Sequence, residues 1–336
     1  MDQQKGGRSV STMKARVTRQ SRADPDLSLP SIDSSAGSRQ KTPSTLSSSS
    51  KDSRQRNPFQ WTQGPHVTAQ AWSILDARSG EMLWGWNERN RLEMASLTKI
   101  MTCYLVIRIV NNSNELSFDS VVTVSRLAAS MKGTSAYLQE GDELTIWDLL
   151  HGMMLPSGND AAWCLAEYVG KYIQSVLEES AKNKNYTRYF LREMNALAQE
   201  IGLSRTSFDN PHGLSNPKNR SCAHDLGKLV CVCMLNPFFR EIVRTRSYVC
   251  YVFQPDEANI YRKAKWQNTN KLLNEGWDGV KTGVTQSAGP CMSACCRISD
   301  RLSLVITTLN SDSTEMRWSD VVQLASWAVS SLKLEG

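Results

Sequence analysis

Hydrophobic residues recur at two periods along this 336-residue chain, one helical and one alternating, and along residues 1–60 at neither. Val67 to Leu75, rich in Ala, Trp, Ile and Leu and followed by a turn at Ser79-Gly80, reads as a strand. Glu81 to Trp86 is its expected hairpin partner. From Ser96 to Val110 apolar residues fall on nearly every side of a helical projection, which predicts a central buried helix. Leu144 to Leu155 is apolar at helical spacing and breaks at Pro156. A helix from about Asp160 through Tyr168 is expected to stop at Gly170. Tyr189 to Gly202 is one-sided, with Leu191, Met194, Leu197, Ala198 and Ile201 on a single face. His224 to Leu235 and Pro237 to Val243 read as a helix pair divided by Asn236-Pro237.

The last third changes period. Tyr248 to Phe253 alternates and reads as a strand. Gly279 to Thr282, Cys291 to Arg297 and Leu302 to Leu309 supply three more, the last two joined by a tight turn at Ser299-Asp300-Arg301. Met316 to Leu332 closes the chain as an amphipathic helix. Strands at both ends around helices in the middle predict an α+β fold. Its antiparallel sheet would be formed from both chain ends, flanked by helices, with a helical insert. No internal repeat is visible.

Charge sharpens the division at residue 60. Residues 1–60 hold 11 of the 39 Lys/Arg and 5 of the 33 Asp/Glu, a net +6 equal to that of the whole chain, so residues 61–336 balance. The basic character therefore belongs to the tail, and the body offers no electrostatic case for nucleic acid. With 14 Ser and no aromatic before Phe59, residues 1–60 cannot bury enough apolar area to offset ordering entropy, and are expected to be disordered. Residues 3–23 are acid-free and carry six Lys/Arg, a composition that fits either an organellar transit peptide or a solvated basic tail. No secretory apolar region and no stretch near the length of a membrane span is seen. The nine Cys are odd in number and lack zinc-ligand spacing, which favours free thiols in a reducing compartment. A cytoplasmic or organellar setting is expected.

Three motifs carry chemistry. Ser96 and Lys99 open the buried helix at i and i+3, on one face and about 5–6 Å apart at Cβ. The helix N-terminus favours an oxyanion there, and burial with a second cation would lower the amine pKa. Ser157-Gly158-Asn159 follows Pro156. Lys281-Thr282-Gly283 follows Gly279-Val280 on an expected strand, with glycine leaving room for an extended substrate and a cation for its carboxylate. Singly these are cap, turn and edge-strand residues. Together they are the parts of a serine acyl-transfer enzyme that uses lysine as base.

In this order, and with their flanks, the motifs resemble the penicillin-recognising serine hydrolases, and within them the D-Ala-D-Ala carboxypeptidases. Ala95 to Thr102, Leu155 to Ala162, Asn210-Pro211-His212-Gly213-Leu214, Asn268 to Leu273 and Asp278 to Gly283 carry the resemblance, which spans about residues 66–334. It implies a β-lactamase/transpeptidase-like catalytic domain over residues 61–336. It further implies Ser96 as acylated nucleophile, Lys99 as base and Ser157 as proton relay to the departing amine. Asn159 would position the peptide, Lys281 and Thr282 would bind its carboxylate, and Gly283 would line the strand. The N–H groups of Ser96 and Val284 would form the oxyanion hole. The implied partners are peptides ending in D-Ala-D-Ala and β-lactams as covalent inhibitors, without a cofactor. Cys222-Ala223-His224-Asp225 departs from the pattern, with His where Arg is usual.

Three alternatives stand beside this. A β-lactamase would need a carboxylate to activate the deacylating water, and Glu193 and Glu200 lie on an ordinary amphipathic helix. A catalytically inactive binding homologue would keep the fold alone. A Ser96–His212–Asp209 triad is disfavoured because Lys99 already stands one turn from the serine.

Overall fold

The computed structural model describes residues 64–177, 185–255 and 260–332; the expectations for residues 1–60 lie outside them. The chain enters through β1 (Ala71–Asp76), β2 (Met82–Trp86) and β3 (Leu92–Glu93). A 3-10 turn, Ala95–Leu97, leads into α1 (Thr98–Asn112). Then follow β4 (Val121–Thr123), α2 (Arg126–Ala129), β5 (Glu143–Thr145), α3 (Ile146–Met154), α4 (Asn159–Val176) and α5 (Tyr186–Ile201). β6 (Arg220–Ser221), α6 (Ala223–Leu235), α7 (Pro237–Arg244), β7 (Ser247–Gln254) and β8 (Ile260–Gln267) come next. The chain returns through β9 (Val280–Thr285), β10 (Gly289–Arg297) and β11 (Ser303–Leu309) and closes with α8 (Met316–Ser331).

Both chain ends meet in one antiparallel sheet, ordered β2-β1-β11-β10-β9, as the alternating segments predict. β1 pairs with β11 from Ala71↔Leu309 to Asp76↔Leu304. Its residues are buried on both faces because helices cover both. On one side Ser73 Oγ donates to the Ala223 carbonyl of α6 at 2.8 Å. On the other, Trp327 of α8 packs edge-on against Trp84 at 5.1 Å and Trp72 at 6.3 Å. α1 lies in the larger core and buries residues on every side, which explains its lack of a polar face.

The structure differs from the pattern reading in several places. Leu144 and Thr145 belong to β5, and α3 starts at Ile146 because Thr145 and Asp148 form a reciprocal N-terminal cap. α4 runs through Gly170 to Val176. Gly170 is there because α5 passes against it: a Cβ would stand 2.1 Å from the Tyr186 carbonyl oxygen. β8 was not expected, since Arg262, Lys263 and Lys265 interrupt its apolar positions and only Ala264 and Trp266 are buried. Finally, β7 joins not the main sheet but a second one ordered β4-β5-β7-β8, which flanks the helical insert.

Candidate active site

The 3-10 turn and α1 set the first motif. Ala95 adopts φ +48°, a left-handed conformation that turns the chain sharply before Ser96. Thr98 Oγ1 donates to the Ala95 carbonyl at 2.9 Å and accepts from Asn219 Nδ2 at 2.9 Å, which fixes the turn. Lys99 is fully buried. Its Nζ donates to Ser96 Oγ at 3.0 Å, Asn159 Oδ1 at 2.6 Å and the His212 carbonyl at 2.7 Å. All three acceptors are neutral oxygens. Burial pushes the Lys99 pKa well below the ordinary amine value, the Lys281 charge pushes it further, and Asp160 opposes.

The second motif reaches the first through that Asn159 contact. Ser157 is buried at φ +67°, and its carbonyl accepts from Thr134 Oγ1 at 2.6 Å. Among the described residues the Ser157 hydroxyl makes no hydrogen bond, so it is available to a ligand. Asn159 Nδ2 donates to the Lys132 carbonyl at 2.7 Å, which sets the amide with its oxygen toward Lys99. Asp160 accepts from Ser135 Oγ at 2.5 Å and from the Ala136 N–H at 2.9 Å. It ties the loop ahead of the motif to the start of α4.

The third motif lies on β9, the sheet edge. Gly283 runs so close to the nucleophile turn that a Cβ would stand 2.7 Å from the Ser96 nitrogen. Val284, beside it, is 53% exposed. Lys281 is buried rather than the exposed lysine of an ordinary edge strand, and its Nζ donates to the Thr282 carbonyl at 3.0 Å. Burial, then the Arg317 guanidinium, brings its pKa down to about 7. The Thr282 and Thr269 hydroxyls are 3.1 Å apart. The three motifs therefore form one site.

Several further residues shape this site. Arg317 of α8 is buried and donates to the Gly283 carbonyl at 3.1 Å. In the sequence it is one basic residue on a closing helix, and nothing in its spacing marks it. Thr269 lies in a segment that carries the resemblance but had no role of its own. His212 contributes its carbonyl, not its ring. Burial holds the His212 pKa at about 3, its Nδ1 accepts from the Leu214 N–H at 3.1 Å, and the ring stacks on Trp163 at 5.9 Å. A ring so engaged is a poor base for Ser96. Glu200 lies on the exposed side of α5, paired with Arg108 at 2.7 Å.

The chain is similar to proteins of known family. A model described as D-alanyl-D-alanine carboxypeptidase matches residues 59–313. D-alanyl-D-alanine carboxypeptidase DacC of Escherichia coli (strain K12) is 30% identical over 277 residues, 80% of this chain and 63% of that protein. DacF of Bacillus subtilis (strain 168) is 32% identical over 67% of this chain and 53% of its own length. The chain thus spans less than two thirds of both proteins, 63% and 53%. The D-alanyl-D-alanine carboxypeptidase of Streptomyces sp. (strain K15) is 31% identical over 78% of this chain and 88% of that protein. The crystal structure of the Streptomyces K15 DD-transpeptidase superposes with a TM-score of 0.71 at 29% identity, covering 80% of this chain and 99% of the other. The mixed α/β architecture is that of the DD-transpeptidase fold, and the chain belongs to the D-alanyl-D-alanine carboxypeptidase family.

Proposed function

We propose that residues 61–336 are the catalytic domain of a serine D-alanyl-D-alanine carboxypeptidase, which removes a C-terminal D-Ala through an acyl-enzyme. The observation that carries it is the 3.0 Å contact between Ser96 Oγ and a fully buried Lys99 with neutral acceptors only. Burial and the Lys281 charge lower the pKa of a lysine so placed, which favours the neutral amine that can act as a base.

In this mechanism neutral Lys99 takes the Ser96 proton as Oγ attacks the peptide carbonyl. The N–H groups of Ser96 and Val284 receive the developing oxyanion. The Ser157 hydroxyl passes a proton to the departing amine, Asn159 holds the peptide amide, and Lys281 with Thr282 binds the terminal carboxylate. Water then attacks the ester: its oxygen bonds to the acyl carbon, the bond to Oγ breaks and Oγ recovers a proton. No metal or organic cofactor is required by this chemistry. β-Lactams would acylate the same serine.

The test is mass spectrometry of the protein after exposure to benzylpenicillin. The expected result is one adduct on Ser96, absent from Ser96→Ala, and slowed by orders of magnitude in Lys99→Ala. Unchanged labelling of Ser96→Ala would sink the mechanism. An adduct hydrolysed within seconds would mark a β-lactamase, and no adduct on intact protein a binding homologue.

All nine cysteines are free and buried, and burial raises their pKa, as for Cys222 at about 11. Such thiols suit a reducing setting, cytoplasmic or organellar. Among the described residues no helix is long and apolar enough to cross a membrane.

A further inference from the structure

The two N–H groups assigned above to the oxyanion belong to different elements, so something must hold their spacing. The register of β9 aims the Val284 group at the site. Val284 pairs with Pro290, which has no N–H. The Pro290 carbonyl accepts from the Ser311 N–H at 2.9 Å, on the β11 side of its strand. In an antiparallel ladder bonded and non-bonded pairs alternate. Pro290 therefore turns away from β9, and Val284 turns its N–H away from β10 to the free edge. The Thr282 carbonyl, in the same phase, accepts from Lys281 Nζ at 3.0 Å rather than from β10.

Among the described residues no backbone hydrogen bond joins residues 280–285 to residues 95–97. Contact limits their approach from within, since a Cβ on Gly283 would stand 2.7 Å from the Ser96 nitrogen. The limit from outside is a side-chain cluster at the surface. Ser287 Oγ, in the turn between β9 and β10, donates to Glu93 Oε2 at 2.6 Å. Ser215 Oγ lies 2.8 Å from the same oxygen and 2.6 Å from Ser287 Oγ.

The three residues are tied to the site through short stretches of chain. Glu93 stands three residues before Ser96, with buried Met94 and the left-handed Ala95 between them. Ser287 stands three residues after Val284. Ser215 stands three residues after His212, whose carbonyl accepts from Lys99. One carboxylate oxygen thus joins the segments that carry both oxyanion donors and an acceptor of the catalytic amine. Partial burial pushes the Glu93 carboxyl up, but the Ser287 and Ser215 hydroxyls and the Arg220 charge outweigh it and hold its pKa below the usual value. The oxygen therefore stays an acceptor around neutral pH.

We propose that Glu93 is a positioning residue for acylation: its carboxylate oxygen, bridged to Ser287 and Ser215, sets the distance between the Ser96 and Val284 N–H groups. It acts through the two serines and touches none of the reacting atoms. This deepens the carboxypeptidase reading and rests on it. Both hydroxyls meet one oxygen, so the bridge needs an acceptor and not a charge, and a glutamine carbonyl would serve. Its bonds lie at the surface, so their loss should shift the strand without unfolding the protein.

The test is stopped-flow acylation of the full chain by benzylpenicillin, with the first-order acylation constant separated from the half-saturating concentration. In Glu93→Ala the first-order constant is expected to fall about tenfold, less than the roughly 10²–10³ lost when an oxyanion donor is removed outright. The half-saturating concentration should stay within about twofold, because the interaction at stake is made in the transition state. Glu93→Gln should recover the wild-type constant within about threefold. Ser287→Ala should lose as much as Glu93→Ala, and the two together no more than either. A Glu93→Ala constant within about twofold of wild type overturns the proposal. So does a Glu93→Gln protein no faster than Glu93→Ala, or a double variant whose losses multiply. If the wild type is not acylated at all, the carboxypeptidase reading fails instead, and amide hydrogen exchange still reads the bridge. Faster exchange of residues 285–289 in Glu93→Ala but not in Glu93→Gln supports it, and equal exchange in all three proteins overturns it.

Discussion

Lys99 Nζ donates to Asn159 Oδ1 at 2.6 Å, and that contact joins the first catalytic motif to the second. The amide oxygen gives the lysine a partner without giving it a charge. Asn159→Asp would place a carboxylate beside the amine and raise the Lys99 pKa. Acylation needs the neutral amine, so the acid limb of the rate-against-pH profile should move to higher pH. The rate on that limb should fall about tenfold for each pH unit it moves. Stopped-flow penicillin acylation from pH 5 to 9 measures both. An unshifted limb would show that Lys99 is not the group titrating.

Lys281 carries a stability prediction whose sign follows from where its proton is held. Burial and then Arg317 bring its folded pKa to about 7, whereas an unfolded lysine keeps its proton to about pH 10. Between those values the unfolded state binds more protons, so stability rises with pH. The slope approaches about 1.4 kcal/mol per pH unit for one full proton. Lys99 acts in the same direction. The buried thiols oppose it: burial raises them, so unfolded thiols ionise first above about pH 8.5 and stability falls there. Calorimetric Tm should therefore climb from pH 7 to about 8.5, and climb less in Lys281→Met. Equal slopes in the two proteins would contradict the buried, cation-flanked lysine.

The contrast between Lys281 and Arg317 shows what the chain reveals in advance. Lys281 sits in a short motif with glycine two residues on, so its site is visible from spacing alone. Arg317 reaches the same strand from α8, 34 residues after Gly283, and only the fold brings it to the Gly283 carbonyl. The same division holds for the elements. α6 and α7 begin and end within a residue of expectation because Asn236, between them, caps α7 through its side chain. β8 carried no such signal: with one face solvated by lysines it reads as a polar segment until β7 supplies its partner. That β7 pairs outside the main sheet was hidden for a related reason, since alternation marks a strand but not its neighbour.

Gly170 is the second place where chain-level reasoning gave way to a tertiary contact. A glycine inside a helix normally weakens it, yet α4 continues six residues beyond, to Val176. The Tyr186 carbonyl occupies the space a side chain would need, 2.1 Å from the Cβ position. Gly170→Ala should force α4 and α5 apart and cost about 3 kcal/mol, a fall in Tm of about 6–12 °C. Penicillin acylation measured well below the new Tm should stay near wild type, because neither helix end at the site moves. A variant as stable as wild type would mean the helices do not approach this closely.

Gly283 gives the complementary case, in which a methyl group harms chemistry more than stability. Its Cβ position lies 2.7 Å from the Ser96 nitrogen, 3.0 Å from Ala95 Cβ and 3.3 Å from the Leu97 nitrogen. Two of these are backbone atoms of the nucleophile turn, which is held by Thr98 and Asn219 and cannot yield cheaply. β9 lies at the sheet edge, paired only with β10, so it is the element that moves. In Gly283→Ala the strand should swing out by a few tenths of an ångström or more. That displaces the Val284 N–H from the oxyanion it is proposed to bind, and misplaced donors of this kind cost about 10²-fold or more in rate. The expected result is an acylation rate lowered about 100-fold with Tm reduced by only a few degrees. A variant that acylates at the wild-type rate would remove β9 from the oxyanion site.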